Sequence, residues 1–263
     1  MILYFSGTGN SRAVAREIGR HIGDEIFDLA SCGGFSHEAG RVVWVFPIYS
    51  WGLPLPVVEA INTLVLPGAG NVQHFMVATC GDDAGLADMQ WRRLIKKRGW
   101  DAAGAYTVQM PNTYTMMKGF DVDSRETIAA KLGAFPARVE NIACKITAGD
   151  RGSDVVRGSF AWIKSALIYP LFMRYGLSSK PFAATSACTG CGKCARNCPT
   201  ATVVMQGNRP LWNGRRCAMC ERCYHACPVH AVKYGTATKG KGQYMYDAYA
   251  RESGCPDVEG RLP

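Results

Sequence analysis

Along the first 150 residues, short apolar runs alternate with stretches whose apolar positions recur three and four residues apart. Met1–Phe5 reads as a strand, and Ser11–Ile22 as a helix with Ala13, Val14, Ile18 and Ile22 at helical spacing. Glu25–Leu29 and Arg41–Ile48 are the next strands, the second apolar enough for a position covered on both faces. Ala30–Gly40 between them is short and rich in Gly and Ser, so the usual crossover helix is expected to be cut down or absent. Pro54–Leu64 should be helical, with prolines only in its first turn. His74–Cys80 is a fourth strand, and Ala84–Arg98 an amphipathic helix stopped at Gly99. Ala102–Met110 is a fifth strand and Ser124–Thr147 a long final helix. This alternation predicts a doubly wound α/β domain over residues 1–150, with five parallel strands in the order 2-1-3-4-5.

After residue 150 the pattern breaks. Residues 155–177 are apolar nearly all round but are interrupted by Lys164, Pro170 and Arg174, which argues against a membrane-crossing span. The favoured reading is a helical hairpin or kinked helix buried between domains, so membrane contact is not expected; a helix facing a membrane surface or a quinone is the alternative. Ser178-Ser179-Lys180-Pro181 reads as a linker. Residues 151–180 are therefore expected to be an apolar helical connector, 181–235 a second domain, and 236–263 a tail with no assignable element.

The second domain holds eight of the twelve cysteines. They form two copies of C-x2-C-x2-C-x3-C-P: Cys188, Cys191, Cys194, Cys198 before Pro199, and Cys217, Cys220, Cys223, Cys227 before Pro228. This is the spacing of bacterial ferredoxins that hold two [4Fe–4S] clusters, in which the fourth cysteine of each run serves the other cluster. The expected ligand sets are Cys188, Cys191, Cys194 and Cys227 for one cluster, and Cys217, Cys220, Cys223 and Cys198 for the other. Structural zinc is the alternative, but zinc is usually held by two separated cysteine pairs and has no use for a third close cysteine and a C-P step. Cys32, Cys80, Cys144 and Cys255 read as ordinary small residues.

Charge changes the picture next. The chain carries a net +9. Residues 1–150 hold 14 Lys and Arg against 15 Asp and Glu, and residues 151–263 hold 16 against 6. The excess therefore lies wholly in the cysteine-bearing half. Two oxidised cubanes with eight thiolates would bring about −4 and offset part of it. The remainder would steer an acidic redox protein or an anionic substrate. No aromatic–basic array of an RNA-binding kind is present, so nucleic acid is not an expected partner. Thiolate ligands need a reducing compartment, and the N-terminus has no basic, cleavable leader, so a cytoplasmic location is expected.

The first strand runs into Ser6-Gly7-Thr8-Gly9-Asn10-Ser11 and then a helix. That order presents hydroxyls and free backbone N–H groups at a helix N-terminus, where a phosphate is held by hydrogen bonds and the helix dipole. Neither G-x-G-x-x-G nor the lysine of a P-loop is present, which favours the phosphate of FMN over a dinucleotide or nucleoside triphosphate. The loop resembles the S/T-x-T-G-x-T phosphate loop of flavodoxins, with Ser11 where many have Thr. With the ferredoxin-like part, the chain resembles the flavodoxin–ferredoxin fusion family (EFR-type ferredoxins) over nearly all of residues 1–235. The resemblance implies a flavodoxin-like domain binding FMN, followed by a small α+β domain of the bacterial 2[4Fe–4S] ferredoxin type.

Flavodoxins grip the flavin ring with loops after the third and fourth strands. Here these are Pro47-Ile48-Tyr49-Ser50-Trp51-Gly52 and Thr79-Cys80-Gly81-Asp82. Tyr49 or Trp51 would stack on the ring, and Gly52 would let the backbone approach or flip. Backbone amides of the second loop would bond the pyrimidine edge. A further loop, Met110–Met117, contributes Asn112 and Tyr114 as candidates beside the flavin, with Met116 and Met117 as adaptable apolar contacts. Val203, Val204, Ala231 and Val232 are expected to shield the clusters, and Lys193, Arg196, Arg215, Arg216 and Arg222 to raise their potentials.

The reading that follows is electron transfer between two [4Fe–4S] clusters and FMN in one chain, between a redox donor and an acceptor. Its rival is an FMN-dependent reductase of a small molecule or quinone, fed by the clusters. No convincing general acid supports the rival: Asp82 and Tyr114 are the candidates, and His74 reads as structural. A zinc-bearing binding module is the non-redox alternative.

Overall fold

The computed structural model describes residues 1–31, 35, 39–214 and 216–252. Cys32, Arg215 and Cys255, and much of the Ala30–Gly40 connection, lie outside the described residues. The chain divides into two compact units: Met1–Ser6, Asn10–Met110 and Lys131–Leu177 form one, and Gly7–Gly9, Pro111–Ala130 and Ser178–Pro263 the other. This differs from the division expected from sequence. The connector belongs with the α/β unit, and residues 236–252 belong with the cysteine-bearing unit.

In the first unit, β1 (Ile2–Tyr4), β2 (Ile26–Asp28), β3 (Arg41–Pro47), β4 (Gln73–Cys80) and β5 (Asp101–Gln109) form a parallel sheet. Its order is β2-β1-β3-β4-β5, the flavodoxin-like order, extended by β6 (Ser153–Asp154) beside β5. Val42–Phe46 and Phe75–Cys80 are buried throughout, as strands covered on both faces must be. The covering helices are α1 (Asn10–Ile22), α2 (Leu55–Thr63), α3 (Ala87–Lys97) and α4 (Arg125–Thr147).

The sixth strand was not anticipated, because two residues carry no periodic signal. It is fixed by charge. Asp154 accepts from Arg138 Nη1 at 2.7 Å and Lys145 Nζ at 3.0 Å, both on α4. Those two cations hold the Asp154 carboxyl down at about 2.

Residues 161–176 are helical, with α5 (Ala161–Ile163) and α6 (Tyr169–Leu171) alternating with π-helical stretches Lys164–Ile168 and Phe172–Gly176. This is a single helical run, and one of its faces is open: Trp162 is 70% exposed and Leu167 56%. A helix buried on all sides is therefore not what forms. The π stretches are the widened turns expected where Pro170 removes a backbone donor.

The second unit is built on a repeat. β7 (Phe182–Ala184) pairs antiparallel with β10 (Val232–Tyr234), and β8 (Val203–Gln206) with β9 (Arg209–Trp212). Short helices α7 (Lys193–Arg196) and α8 (Arg222–His225) occupy equivalent places in the two cysteine runs. The tail has structure after all. Gln243 Nε2 donates to Tyr224 O at 2.6 Å and Cys227 O at 3.0 Å, Tyr244 is buried, and α9 covers Tyr246–Glu252.

Candidate cofactor sites

The two cysteine loops follow one backbone course. Positive φ occurs at Gly190 (70°) and Gly192 (69°) in the first, and at Met219 (52°) and Glu221 (55°) in the second. After the C-P steps it recurs at Ala201 (48°) and His230 (52°). Left-handed residues at these positions turn successive N–H groups and cysteine side chains inward. A Cβ at Gly190 would meet Asn208 O at 2.8 Å, so that glycine is required on both counts.

Cys188, Cys191, Cys194 and Cys227 line one cavity, together with Met205, Pro210, Val229 and Val232. The fourth cysteine of the second run thus converges with the first three of the first run. Burial raises the Cys194 thiol, with Cys191 and Cys188 adding to the rise. In the other set, burial pushes the Cys217 thiol up to about 12, with Cys220 and then Cys198 among the further causes. Burial raises Cys220 and Cys223 as well, and Cys198 contributes to both, while Arg222 opposes the rise at Cys220. Cys198 is thus a neighbour of Cys217, Cys220 and Cys223 close enough to contribute to their rise.

Backbone N–H groups are aimed at these sulfurs. Thr202 N donates to Cys198 Sγ at 3.3 Å, Met219 N to Cys217 Sγ at 3.3 Å and Ala231 N to Cys227 Sγ at 3.2 Å. Such bonds favour thiolate over thiol and compensate charge on cluster ligands. The buried Trp212 Nε1–H has no hydrogen-bond partner of ordinary geometry, and its proximity partly offsets the rise at Cys223. An orphaned donor beside a cysteine suits a sulfur-rich group. Among the described residues, no three His, Cys, Asp or Glu side chains are gathered as tightly as one metal ion requires. A cubane offers each thiolate its own iron, so it suits thiols spread around a cavity.

Of the expected apolar shield, Val203, Ala231 and Val232 are buried, but Val204 is 43% exposed. Strand alternation turns it outward, and Met205 lines the cavity instead. Lys193 also lines that cavity. Arg216 forms an isolated bridge with Ser178.

Sequence reading missed the polar network behind the second loop. Glu221, 4% exposed, accepts from Thr115 N at 3.0 Å and from Thr115 Oγ1 at 2.7 Å. His225 Nδ1 accepts from Tyr244 N at 3.2 Å, which leaves the ring proton on Nε2 to donate to Thr113 O at 2.8 Å. Lys241 Nζ donates to Thr115 O at 2.7 Å. Arg222 Nε donates to Gly7 O at 2.9 Å, and Tyr246 N to Thr8 O at 2.9 Å. Only the unusual C-E-R-C filling of the second run could have signalled this. Asn112 Oδ1 accepts from Tyr114 N at 3.3 Å, and Asn112 N donates to Asp123 at 2.9 Å. Burial pushes the Tyr114 hydroxyl to about 12, so it stays protonated at neutral pH.

In the α/β unit, α1 begins at Asn10 directly after Gly9, whose φ of 104° suits glycine. The 13-residue helix has no acidic side chain in its first turn, so its N-terminus is suited to an anion. Ser11 Oγ lies 2.7 Å from Thr79 Oγ1, which links this terminus to the end of β4.

Tyr49–Gly52 is a tight turn closed by hydrogen bonds in both directions, at 3.0 and 3.1 Å. Ser50 (φ 49°) and Trp51 (φ 61°) are both left-handed, a strained pair for residues with side chains. Gly52 has a plainer reason than flavin approach: a Cβ there would strike the Tyr169 ring at 2.3 Å. The connector helix holds this turn and the next loop. Tyr169 OH donates to Leu53 O at 2.8 Å, and Ser165 Oγ donates to Trp51 O at 3.1 Å and accepts from Leu86 N at 2.8 Å. Lys164 Nζ pairs with Asp83 at 2.6 Å and lies 5.0 Å from the Trp51 ring centroid. The Gln90 side-chain amide has no partner at either end.

Cys80 is a buried thiol pushed up to about 12 by burial, as suits packing. Gly81 O accepts from Lys131 Nζ at 2.8 Å, and Asp82 O from Gln109 Nε2 at 3.0 Å. His74 is structural. It accepts from Trp44 Nε1 at 3.1 Å, lies 2.9 Å from Ala69 O through Nε2, and stacks on Trp100.

Residues 187–232 match the family described as the 4Fe-4S dicluster domain. The chain therefore joins an iron–sulfur domain to a flavodoxin-like sheet. No curated protein matches it. Solved structures similar to the chain include the Trp repressor binding protein from Bacillus subtilis, at 12% identity and TM-score 0.36, over 54% of this chain and 96% of that one. Azoreductase from Bacillus anthracis str. Sterne is similar at 11% identity and TM-score 0.37, over 55% and 98%. Rubredoxin oxygen:oxidoreductase from the anaerobe Desulfovibrio gigas is similar at 16% identity and TM-score 0.36, over 56% and 36%. Scores this low add nothing to the sheet order itself. No helix among the described residues is long and apolar enough to cross a membrane.

Proposed function

We propose that this chain is an electron-transfer flavo-iron–sulfur protein, relaying electrons between a redox donor and an acceptor with two [4Fe–4S] clusters and one FMN. The observation that carries the reading is that Cys227, from the second run, lines the cavity of Cys188, Cys191 and Cys194. Cys198 is among the neighbours that raise the Cys217, Cys220 and Cys223 thiols, which supports the reciprocal set. These two sets would hold the clusters. Ser6, Thr8 and Ser11, with the N–H groups of Gly7–Asn10, would hold the FMN phosphate. Residues 47–52 and 79–82 would flank its ring, the strained Ser50–Trp51 turn being the feature that supports ring contact.

When bound, clusters supply single-electron chemistry and FMN accepts one electron or two. The chain's own part is to exclude water and set charge. Val203, Ala231, Val232 and Met205 keep the thiolates in apolar surroundings, while Lys193 and Arg222 counter the negative charge. The balance of +10 in residues 151–263 supports an acidic redox protein as partner. Reduction of anaerobically prepared protein with dithionite, followed by absorbance, tests the relay. Brown and yellow chromophores should bleach together in the intact chain. A yellow band that stays oxidised while the brown one bleaches would reject it.

A further inference from the structure

From Val155 through Cys220 the chain has no Asp or Glu and nine Lys or Arg. The helical run 161–176 lies near the start of this acid-free stretch and presents two unlike faces. Its inner side is fixed to the α/β unit by Lys164, Ser165 and Tyr169. On its outer side Trp162, Ile163, Leu167, Ile168, Leu171 and Tyr175 are exposed, Trp162 and Tyr175 by about two-thirds or more (70% and 67%). Phe160, 75% exposed and left-handed at φ 56°, extends the patch before the first turn.

We propose that this face is a docking surface for an anionic lipid bilayer, on which the helix lies in the interfacial plane. Three features select this occupant. Large apolar side chains form a continuous strip with a tryptophan near one end and a tyrosine near the other, the residues that favour the headgroup boundary. The exposed charge on the strip is the Arg174 cation, and no carboxylate within residues 155–177 would repel anionic headgroups. A second copy packed on the same face would set Arg174 against Arg174 with no acidic group in the segment to pair with it. The run is too short and too interrupted to cross, which suits a helix lying on the surface. The loops it clasps are those assigned to the flavin ring under the proposed function, but the docking does not rest on that assignment.

The test is flotation of the full chain with vesicles of phosphatidylcholine alone or mixed with phosphatidylglycerol. Leu167→Asp with Leu171→Asp is the variant, since both residues are about half exposed (56% and 49%). Wild type is expected to float with the mixed vesicles, and at least about tenfold less with phosphatidylcholine alone or at high salt. The variant, with an unchanged melting temperature and unchanged cluster absorbance, is expected to lose binding about tenfold. Failure to float with either vesicle, or equal flotation of wild type and variant, overturns the proposal. So does a concentration-dependent dimer in sedimentation velocity that the variant abolishes without vesicle binding in wild type, which would assign the face to a second copy. Capture of an acidic protein by wild type that never binds vesicles would assign it to a protein and overturn the lipid reading.

Discussion

The two cysteine loops trace the same course at an offset of 29 residues, yet they are filled differently. The first places Gly190 and Gly192 at its left-handed positions and leaves Cys191 exposed. The second places Met219 and Glu221 there, buries Cys217, and directs Glu221 and Arg222 into hydrogen bonds with the Thr115 and Gly7 backbone. Glycine meets the conformational demand cheaply. Met and Glu meet it at a cost of roughly 1–2 kcal/mol each, which persists only where side-chain contacts offset it. One loop is therefore a bare cysteine-bearing turn, and its repeat is also the structural hub of the unit.

The largest effect should come from exchanging cysteines across the repeat. Cys227→Ala should cost the centre nominally belonging to the first run, and Cys198→Ala the one belonging to the second. Either should lower iron from about eight to about four per chain. If each variant instead damages its own run, the crossed grouping is wrong.

Next comes the hub. Glu221→Ala leaves the Thr115 N–H and hydroxyl without their buried acceptor, and should cost about 3 kcal/mol in denaturant unfolding. Gly190→Ala in the bare loop should cost about 2 kcal/mol, from a left-handed φ and the approach to Asn208 O. Glu221→Gly loses the same carboxylate but relieves the backbone, so it should be milder than Glu221→Ala by about 1 kcal/mol. Equal losses for the two would mean that Glu221 carries no backbone strain.

Acid should separate the two units. Burial lowers His74 from 6.5 to about 4. Its unfolded form takes a proton below about 6.5, whereas the folded form resists protonation until about 4. Stability is thus fully present above 6.5 and declines as pH falls from there towards 4, by up to about 3 kcal/mol. His74→Gln should flatten that limb in unfolding followed by tryptophan fluorescence. An unchanged acid limb would place its origin elsewhere.

Much of this was legible in the sequence where a period or a spacing repeats. Strands β1 to β5 and helices α1 to α4 follow apolar patterning, and the cysteine spacing points to the iron–sulfur domain that residues 187–232 match. What was not legible depends on partners distant in the chain. β6 exists because Asp154 meets Arg138 and Lys145. Gly52 is required by Tyr169, 117 positions later. The tail is ordered by Tyr224 and His225, whose contacts with residues 241–244 have no local signature. Residues 155–177 showed their hydrophobicity but not which side would remain uncovered.

The most direct measurement is a count of iron, zinc and flavin on protein purified without oxygen. The account expects about eight irons and one FMN per chain, with no stoichiometric zinc. A colourless preparation carrying zinc, or one with about four irons that Cys198→Ala and Cys227→Ala leave unchanged, would contradict it.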